Sequence, residues 1–418
     1  MMDGRYQVPT SWLIEPIKYV STIVQGSTPD SSNADYWSNG ADSLVWVTPA
    51  DMHEIGEIED SARHISKSGY NSCGTQMVPV GSVVISTRAP IGKINRAAIP
   101  LCTNQGCKSL VTDSMDSRYL YWAVINSRGD LVSNGRGTTF MELSAYSLGH
   151  VFVPVPPIGE QRVIAMFLDK ECHAINEAMR ALEKQLSTLE RYRASVIHEA
   201  VTRGLDLSVP TKPSGVEWIG EIPEGWEAKS FKYCAHVAAN LVDPDKYPEL
   251  IEIDPDNIES GSGRLVDVVT AGEVGAISAK QLFSKGQIIY SKIRPALNKV
   301  AIAPADGLCS ADMYPIATDQ NKRWLLYVMR SDMFVRQTTL ISSRVAMPKI
   351  NVDQLGAIKI PVPPIEQQEL IADYLDARTS AIDTILDTKR KQLDILKRRR
   401  QSLIYEYVTG KRRVGEGD

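Results

Sequence analysis

Little in this chain of 418 residues points to catalysis. It has no G-x-x-x-x-G-K-[ST] phosphate loop, no G-x-G-x-x-G between strand and helix, no H-E-x-x-H and no G-x-S-x-G, which excludes the common nucleotide, zinc-protease and serine-hydrolase sites. No Asn/Asp-Pro-Pro-Tyr/Phe of the adenine-methyltransferase kind occurs; Pro156-Pro157 stands between Val155 and Ile158. Glu227-Ala-Lys229 has the outline of a nuclease E-x-K, but it lies at a junction without a well-placed acidic partner. The six cysteines (Cys73, Cys102, Cys107, Cys172, Cys234, Cys309) lack the C-x-x-C spacing of zinc sites, so reduced core thiols are expected rather than disulfides or a metal. The six histidines form no ligand-spaced group. No run of eighteen apolar residues exists, and Met1-Met2-Asp3-Gly4-Arg5-Tyr6 has no apolar signal region. The expectation is a soluble, cytoplasmic protein with no membrane contact and no metal or cofactor of its own.

What the chain does contain, it contains twice. Val153-Pro-Val-Pro-Pro-Ile158 opens a charged, helix-like stretch that ends at Val201-Thr202, and Ile360-Pro-Val-Pro-Pro-Ile365 opens another that ends at Val408-Thr409. Superposed without a gap over roughly 50 residues, about 23 positions are identical, far above chance. In the first copy Leu168, Ile175, Leu182, Leu189 and Val196 recur every seventh residue, with Cys172, Met179, Leu186 and Ala200 four further on. The second copy reads Leu375, Ile382, Leu396 and Leu403 with Leu386, Leu393 and Tyr407. These are the a and d positions of a heptad, interrupted by Arg193, Lys389 and Arg400. The Pro-Pro pairs cannot lie inside a helix, and Glu160 and Glu366 suit its positive end, so helices are predicted from Ile158 and Ile365. Each is about 40 residues, or roughly 60 Å. Such a helix could pack only on its own globular domain; a heptad kept this long wants a partner helix, and the chain supplies one of matching length.

The repeat divides the chain into a globular part over 1–157, a central helix over 158–204, a linker over 205–221, a second globular part over 222–364, a distal helix over 365–410 and a polar tail, expected to be disordered, over 411–418. Each globular part is predicted to be α+β. The first carries strand-like Ser43–Thr48, Gly81–Thr87 and Ala97–Leu101 and a helix over Ser117–Ser127; the second carries Glu249–Ile253, Gly286–Ser291 and Lys299–Ala303 and a helix over Gln320–Ser331. The anchors Gly81-x4-Ser86-x3-Pro90 and Gly286-x4-Ser291-x3-Pro295 align, as do Tyr119-Leu-Tyr-Trp122 and Trp324-Leu-Leu-Tyr327; between them the halves diverge. A shared scaffold with divergent loops suggests two related tasks on two different targets.

The net charge of −4 conceals a polarity. Asp30–Asp60 holds about eight acids and no base, whereas Arg88–Arg136 holds about seven bases against three acids. Asp243–Glu273 is again acidic, and Lys280–Lys349 holds about eleven bases against four acids. A solvated charged face explains one such block; its recurrence favours a phosphate-facing surface.

The order of domain, Val-Pro-Val-Pro-Pro-Ile-x-x-Gln, long helix, Ser214-Gly-Val-Glu-Trp-Ile-Gly-Glu-Ile-Pro-Glu-Gly-Trp226, second domain and second helix resembles the specificity (S) subunits of type I restriction-modification systems. The resemblance covers nearly the whole chain and is specific in the helical repeats and the linker. It implies two similar target-recognition domains, each followed by a long helix, with the helices pairing as an antiparallel coiled coil about an internal pseudo-twofold. It implies that each domain reads half of a bipartite sequence in double-stranded DNA and that the helices dock methyltransferase (M) subunits. S-adenosylmethionine would then bind on those M subunits, and ATP and Mg would serve the restriction (R) subunits. The rival reading is a two-domain coiled-coil scaffold for protein partners.

Arginine can take guanine bidentately, Asn and Gln can take adenine, and Lys or Thr can meet a phosphate. On that basis the polar loops nominate Thr87, Arg88, Lys93, Asn104, Gln105, Arg136, Thr138 and Thr139 in the first domain. In the second they nominate Lys292, Arg294, Asn298, Lys299, Ser310, Arg344 and Lys349. Lys397-Arg-Arg-Arg400 suits either the negative end of its helix or a contact to DNA or an M subunit. Replacing Arg88 or Arg344 by Ala is expected to weaken duplex binding with little loss of fold, and unchanged affinity at moderate salt counts against the residue tested.

Overall fold

A computed structural model describes residues 8–40, 42–88, 90–136, 141–275, 277–342 and 348–415. Two continuous helices dominate it, Ile158–Arg203 with 46 residues and Ile365–Val408 with 44. Each starts directly after its Pro-Pro pair, where a missing N–H costs nothing. The first ends at Gly204 and the second just before Gly410, with φ of 77° and 69°, a left-handed stop that glycine adopts without strain. By packing, the chain forms two units, one joining residues up to Leu182 with those from Gln392 onward, the other Glu183–Lys391. The division runs through the helices rather than at their starts, because each helix gives its two halves to different units.

In the first unit a five-stranded sheet has the order Thr22–Gln25, Cys107–Val111, Val83–Ser86, Ile94–Ala97, Ile55–Ile58, antiparallel except for the last pair. Alternation along the central strand sends Val83 and Ile85 to one face and Val84 to the other. The first face packs on helix Ser117–Asn126, whose residues Tyr119 to Ile125 are all buried. It also packs on Ile164, Leu168 and Cys172 of the first long helix and on Ile404, Tyr407 and Val408 of the second. The strand expected over Ala97–Leu101 is split into Ile94–Ala97 and Cys102–Thr103; Pro100, between them, has no N–H to give a ladder.

The second unit repeats the plan. Its antiparallel sheet runs His236–Val237, Met313–Ala317, Ile288–Ser291, Val300–Ile302. Ile288 and Tyr290 face helix Lys322–Arg330 and the long-helix residues Val196, Ile197, Ile371 and Leu375, while Ile289 faces the opposite core with Ile253 and Phe283. The segment after the first long helix is not featureless: Thr211–Pro213 pairs with Glu221–Pro223 and leads into buried Trp226.

In both units the long helices run antiparallel, since partners move up one helix as they move down the other. In the first unit Phe167 stacks near Tyr407, with ring centroids 4.4 Å apart, and the Arg400 guanidinium donates to Asn176 at 2.7 Å. In the second, Lys389 donates to Gln185 at 2.5 Å and Arg193 pairs with Asp383 at 3.2 Å. All three polar interruptions of the heptad thus find a partner across the seam. Leu168, Ile175, Val196, Leu375, Ile382 and Leu386 are buried, and Leu182, Leu186, Leu189, Leu393, Leu396 and Leu403 are half-buried.

The junction of each long helix with its domain is built twice from the same parts. Gln161 accepts from the Asp116 N–H at 2.9 Å and donates to the Pro156 carbonyl at 2.8 Å. Gln368 accepts from the Asn321 N–H at 3.0 Å and donates to the Pro363 carbonyl at 3.0 Å. Asp116 and Asn321 also cap the buried helices. Trp12 donates to Glu160 and Trp226 to Gln367, at 3.1 and 2.8 Å. Replacing Gln161 or Gln368 by Ala orphans buried backbone groups and should cost about 1–3 kcal/mol each. The urea-unfolding midpoint measures the loss, and a midpoint unmoved in both variants would exclude this role.

Candidate nucleic-acid interface

In each unit the loop leaving the central strand is held by the segment that enters the last short helix. Leu143 N–H donates to the Thr87 carbonyl at 2.8 Å, and Ile350 N–H donates to the Lys292 carbonyl at 3.0 Å. The extended residues bridge as Arg88 with Glu142 and Ile293 with Lys349. Arg136 joins the first of these edges through two backbone hydrogen bonds with Glu142, at 3.1 and 3.0 Å. The edge is therefore the same backbone construction in both units, and the side chains mounted on it differ.

The first edge is organised by a carboxylate. Glu142 lies 3.2 Å from the Arg88 guanidinium and 3.8 Å from the Lys108 ammonium. Lys108 is buried in the sheet, and it donates to the Leu143 carbonyl at 3.0 Å and to the Thr87 hydroxyl at 3.2 Å. Burial pulls the Lys108 ammonium below its usual pKa against the opposing charge of Glu142. The second edge also has a carboxylate, supplied from elsewhere in the chain. Asp312 lies 3.1 Å from the Lys349 ammonium and 3.5 Å from that of Lys292. Lys292 also donates to the Ala311 carbonyl at 2.7 Å and sits over the Tyr314 ring. Tyr314 occupies the place of Lys108: its hydroxyl donates to the Ile350 carbonyl at 3.3 Å, as Lys108 does to Leu143.

Of the nominated residues, Arg88, Gln105 and Arg136 are exposed in the first unit, and Arg294 and Lys349 in the second. The side chains of Arg136 and Arg294 have no ion-pair partner among the described residues. Arg294 and Asn298 both adopt left-handed backbone, with φ of 45°, which shapes the loop between them. Gln105 accepts from the Thr28 hydroxyl, and half-buried Ser310 accepts from the Asp312 N–H at 3.3 Å.

In five of the nominated residues a side-chain polar atom already bonds within the fold. Thr87 is fully buried and donates to the Gly106 carbonyl at 3.2 Å. Lys93 spends its ammonium on the Pro49 and Met52 carbonyls at 2.7 and 2.9 Å, and Lys299 does the same on Pro255 at 2.6 Å. Asn104 closes its own turn by accepting from Gly106 N–H at 2.9 Å, and buried Asn298 donates to the Arg330 carbonyl at 3.1 Å. Thr138, Thr139 and Arg344 lie outside the described residues. The reading of loop composition missed Lys108, Glu142, Asp312 and Tyr314. Lys108 carried a signal, since a charge inside the apolar strand Cys107–Val111 needs a buried partner.

Among the described residues no group of three or more His, Cys, Asp or Glu side chains could hold a metal, and no helix is long and apolar enough to cross a membrane. Burial pushes the Cys102, Cys107, Cys172 and Cys309 thiols up to about 12, which keeps them from acting as thiolates.

The sequence profile of the type I restriction modification DNA specificity domain matches residues 9–187 and 251–394. The EcoDI type I restriction enzyme specificity subunit of Escherichia coli is 32% identical over 284 residues, which span 64% of this chain and 64% of that subunit. The MjaIX specificity subunit of Methanocaldococcus jannaschii is 24% identical over 98% of this chain and 95% of its own length. A solved chain described under complex assembly and conformational transition of the type I R-M system has the same fold, with a TM-score of 0.65 and 16% identity over 97% of this chain and all of its own. With the profile matched in both halves of the duplicated scaffold, the chain belongs to the type I restriction-modification DNA specificity family.

Proposed function

We propose that the chain is the sequence-specific DNA-recognition subunit of a type I restriction-modification complex, each unit reading one half of a bipartite target. The observation that carries this reading is one loop-and-strand edge, built twice on the same backbone bonds and furnished with different side chains. Phosphate contacts position a protein but carry no sequence, whereas base edges carry it. Two edges of one shape and different chemistry suit two short, unlike half-sites. Because each mismatched base pair costs about 1–3 kcal/mol, two such readers discriminate better than either alone.

In this reading the helix pair is the ruler between half-sites and its exposed faces dock M subunits. As a specificity subunit the chain is non-catalytic. S-adenosylmethionine belongs to the M subunits, and ATP and Mg to the R subunits. Lys397, Arg398 and Arg399 are exposed on the second helix and are available to such a partner, although Arg398 already pairs with Asp394 one turn away.

Binding of duplex DNA by the full chain should fall steeply with salt, because neutralised phosphates release counterions. Salt-independent binding, or none at low salt, would count against DNA as the partner. Methylated adenines mapped genome-wide, with and without the gene, should show a bipartite motif only in its presence. Inserting seven residues after Lys184 and after Lys391 keeps the heptad in both helices and should lengthen the unread gap while sparing both half-sequences. Recovery of the original gap would remove the ruler role.

A further inference from the structure

The two edges reach one electrostatic arrangement by separate routes. In the first unit the carboxylate is Glu142, on the segment entering the last short helix, and its cations come from Arg88 and from Lys108 in the sheet. In the second unit the place of Glu142 is taken by a cation, Lys349, as the bridges Arg88 with Glu142 and Ile293 with Lys349 show. The carboxylate has moved to Asp312, at the start of the neighbouring strand, and the second cation is Lys292. The residues at equivalent places differ, yet both edges set one carboxylate between two cations. Neither carboxylate is needed to hold the backbone, since the edge is closed by main-chain bonds in both units.

Stability does not account for the exposed pairs, Glu142 with Arg88 and Asp312 with Lys349. The Glu142 and Asp312 side chains are 42% and 40% exposed, and ion pairs open to water to that degree add little to a fold. Their effect on a ligand is larger. A carboxylate within 4 Å of two cations repels a phosphate approaching them, so the edge binds a bare sugar-phosphate backbone more weakly than its cations alone would. An amino group on a base edge is a donor that the carboxylate accepts, as Glu and Asp do with cytosine N4. At such a base the carboxylate is satisfied and the exposed cation beside it, Arg88 or Lys349, can turn to a flanking phosphate.

We infer that Glu142 and Asp312 are specificity-determining residues: each holds the exposed cation of its edge, Arg88 or Lys349, away from phosphate until an exocyclic amino group, cytosine N4 or adenine N6, is placed beside it. This rests on the DNA-reading function proposed above. Gln and Asn keep the shape and remove the charge, so Glu142→Gln and Asp312→Asn isolate the electrostatic role; thermal unfolding checks folding, and Asp312→Asn, which leaves no buried cation without its carboxylate, keeps the test open if Glu142→Gln is destabilised.

The full-length chain and each variant are titrated with a mixed-sequence duplex and with a duplex carrying the chain's own methylation motif, over a range of salt concentrations. Each variant should bind the mixed-sequence duplex roughly three- to tenfold more tightly, with a salt slope steeper by about one phosphate. Affinity for the motif should not rise in step, so the ratio between the two duplexes falls. If neither affinity nor slope for the mixed duplex changes in both variants, or if both duplexes gain equally, the carboxylates are not discriminators. A wild-type chain that binds neither duplex at low salt would instead overturn the DNA-reading function itself.

Discussion

The fold depends on how a long amphipathic helix is covered along its length. Where a helix end lies against a domain core, as at Leu168 or Leu375, the apolar side chains are buried from several sides. At Leu182, Leu186, Leu189, Leu393 and Leu396 they are only half-buried. Such a seam gains less from each leucine and would tolerate slippage if it were apolar throughout. The polar interruptions oppose that. Arg400 with Asn176, Lys389 with Gln185 and Arg193 with Asp383 each fit only one register, because a shift of one turn separates the partners. The contribution of these contacts is to alignment more than to stability.

Attachment of the domains follows from the same duplication. Gln161 and Gln368 each tie three otherwise separate pieces: the Pro-Pro turn, the start of the long helix, and the cap of the buried domain helix. Asp169 and Asp376 lie two turns further on and fasten each long helix to its domain a second time. Trp122 and Arg96 meet the first, at 2.9 and 3.4 Å, and Tyr327 and Arg323 the second, at 2.7 and 2.6 Å. The fastenings agree in place while their chemistry drifts, as expected when the geometry of a joint is constrained and its exact donors are not.

Much of this framework was legible in the sequence because it rests on periodicity and on proline. The starts at Ile158 and Ile365, the buried helices over Ser117–Asn126 and Lys322–Arg330 and the central strands Val83–Ser86 and Ile288–Ser291 all follow from local rules. The reading edge was legible only in outline. Loop composition identifies residues able to hydrogen-bond, but not which way they face. Lys93 and Lys299 look like phosphate ligands and are latches on carbonyls of a preceding turn. Glu142 could not be singled out because its importance comes from Lys108, more than thirty residues earlier and brought beside it by sheet pairing.

Scaffold and reader therefore obey different constraints, and the equivalent pair Lys108 and Tyr314 shows where they meet. Both donate to the same carbonyl of the edge, at Leu143 and at Ile350, so the bond that shapes the loop is conserved between the units. What each adds beyond that bond differs. Lys108 brings a charge that must be offset, and Glu142 stands beside it; Tyr314 brings a neutral ring, over which Lys292 is held. The sheet position, together with the edge residues beside it, thus differs in charge between the units while the backbone that carries them is the same. A duplicated domain can acquire a different preference in this way while its joint to the helix pair stays as it was.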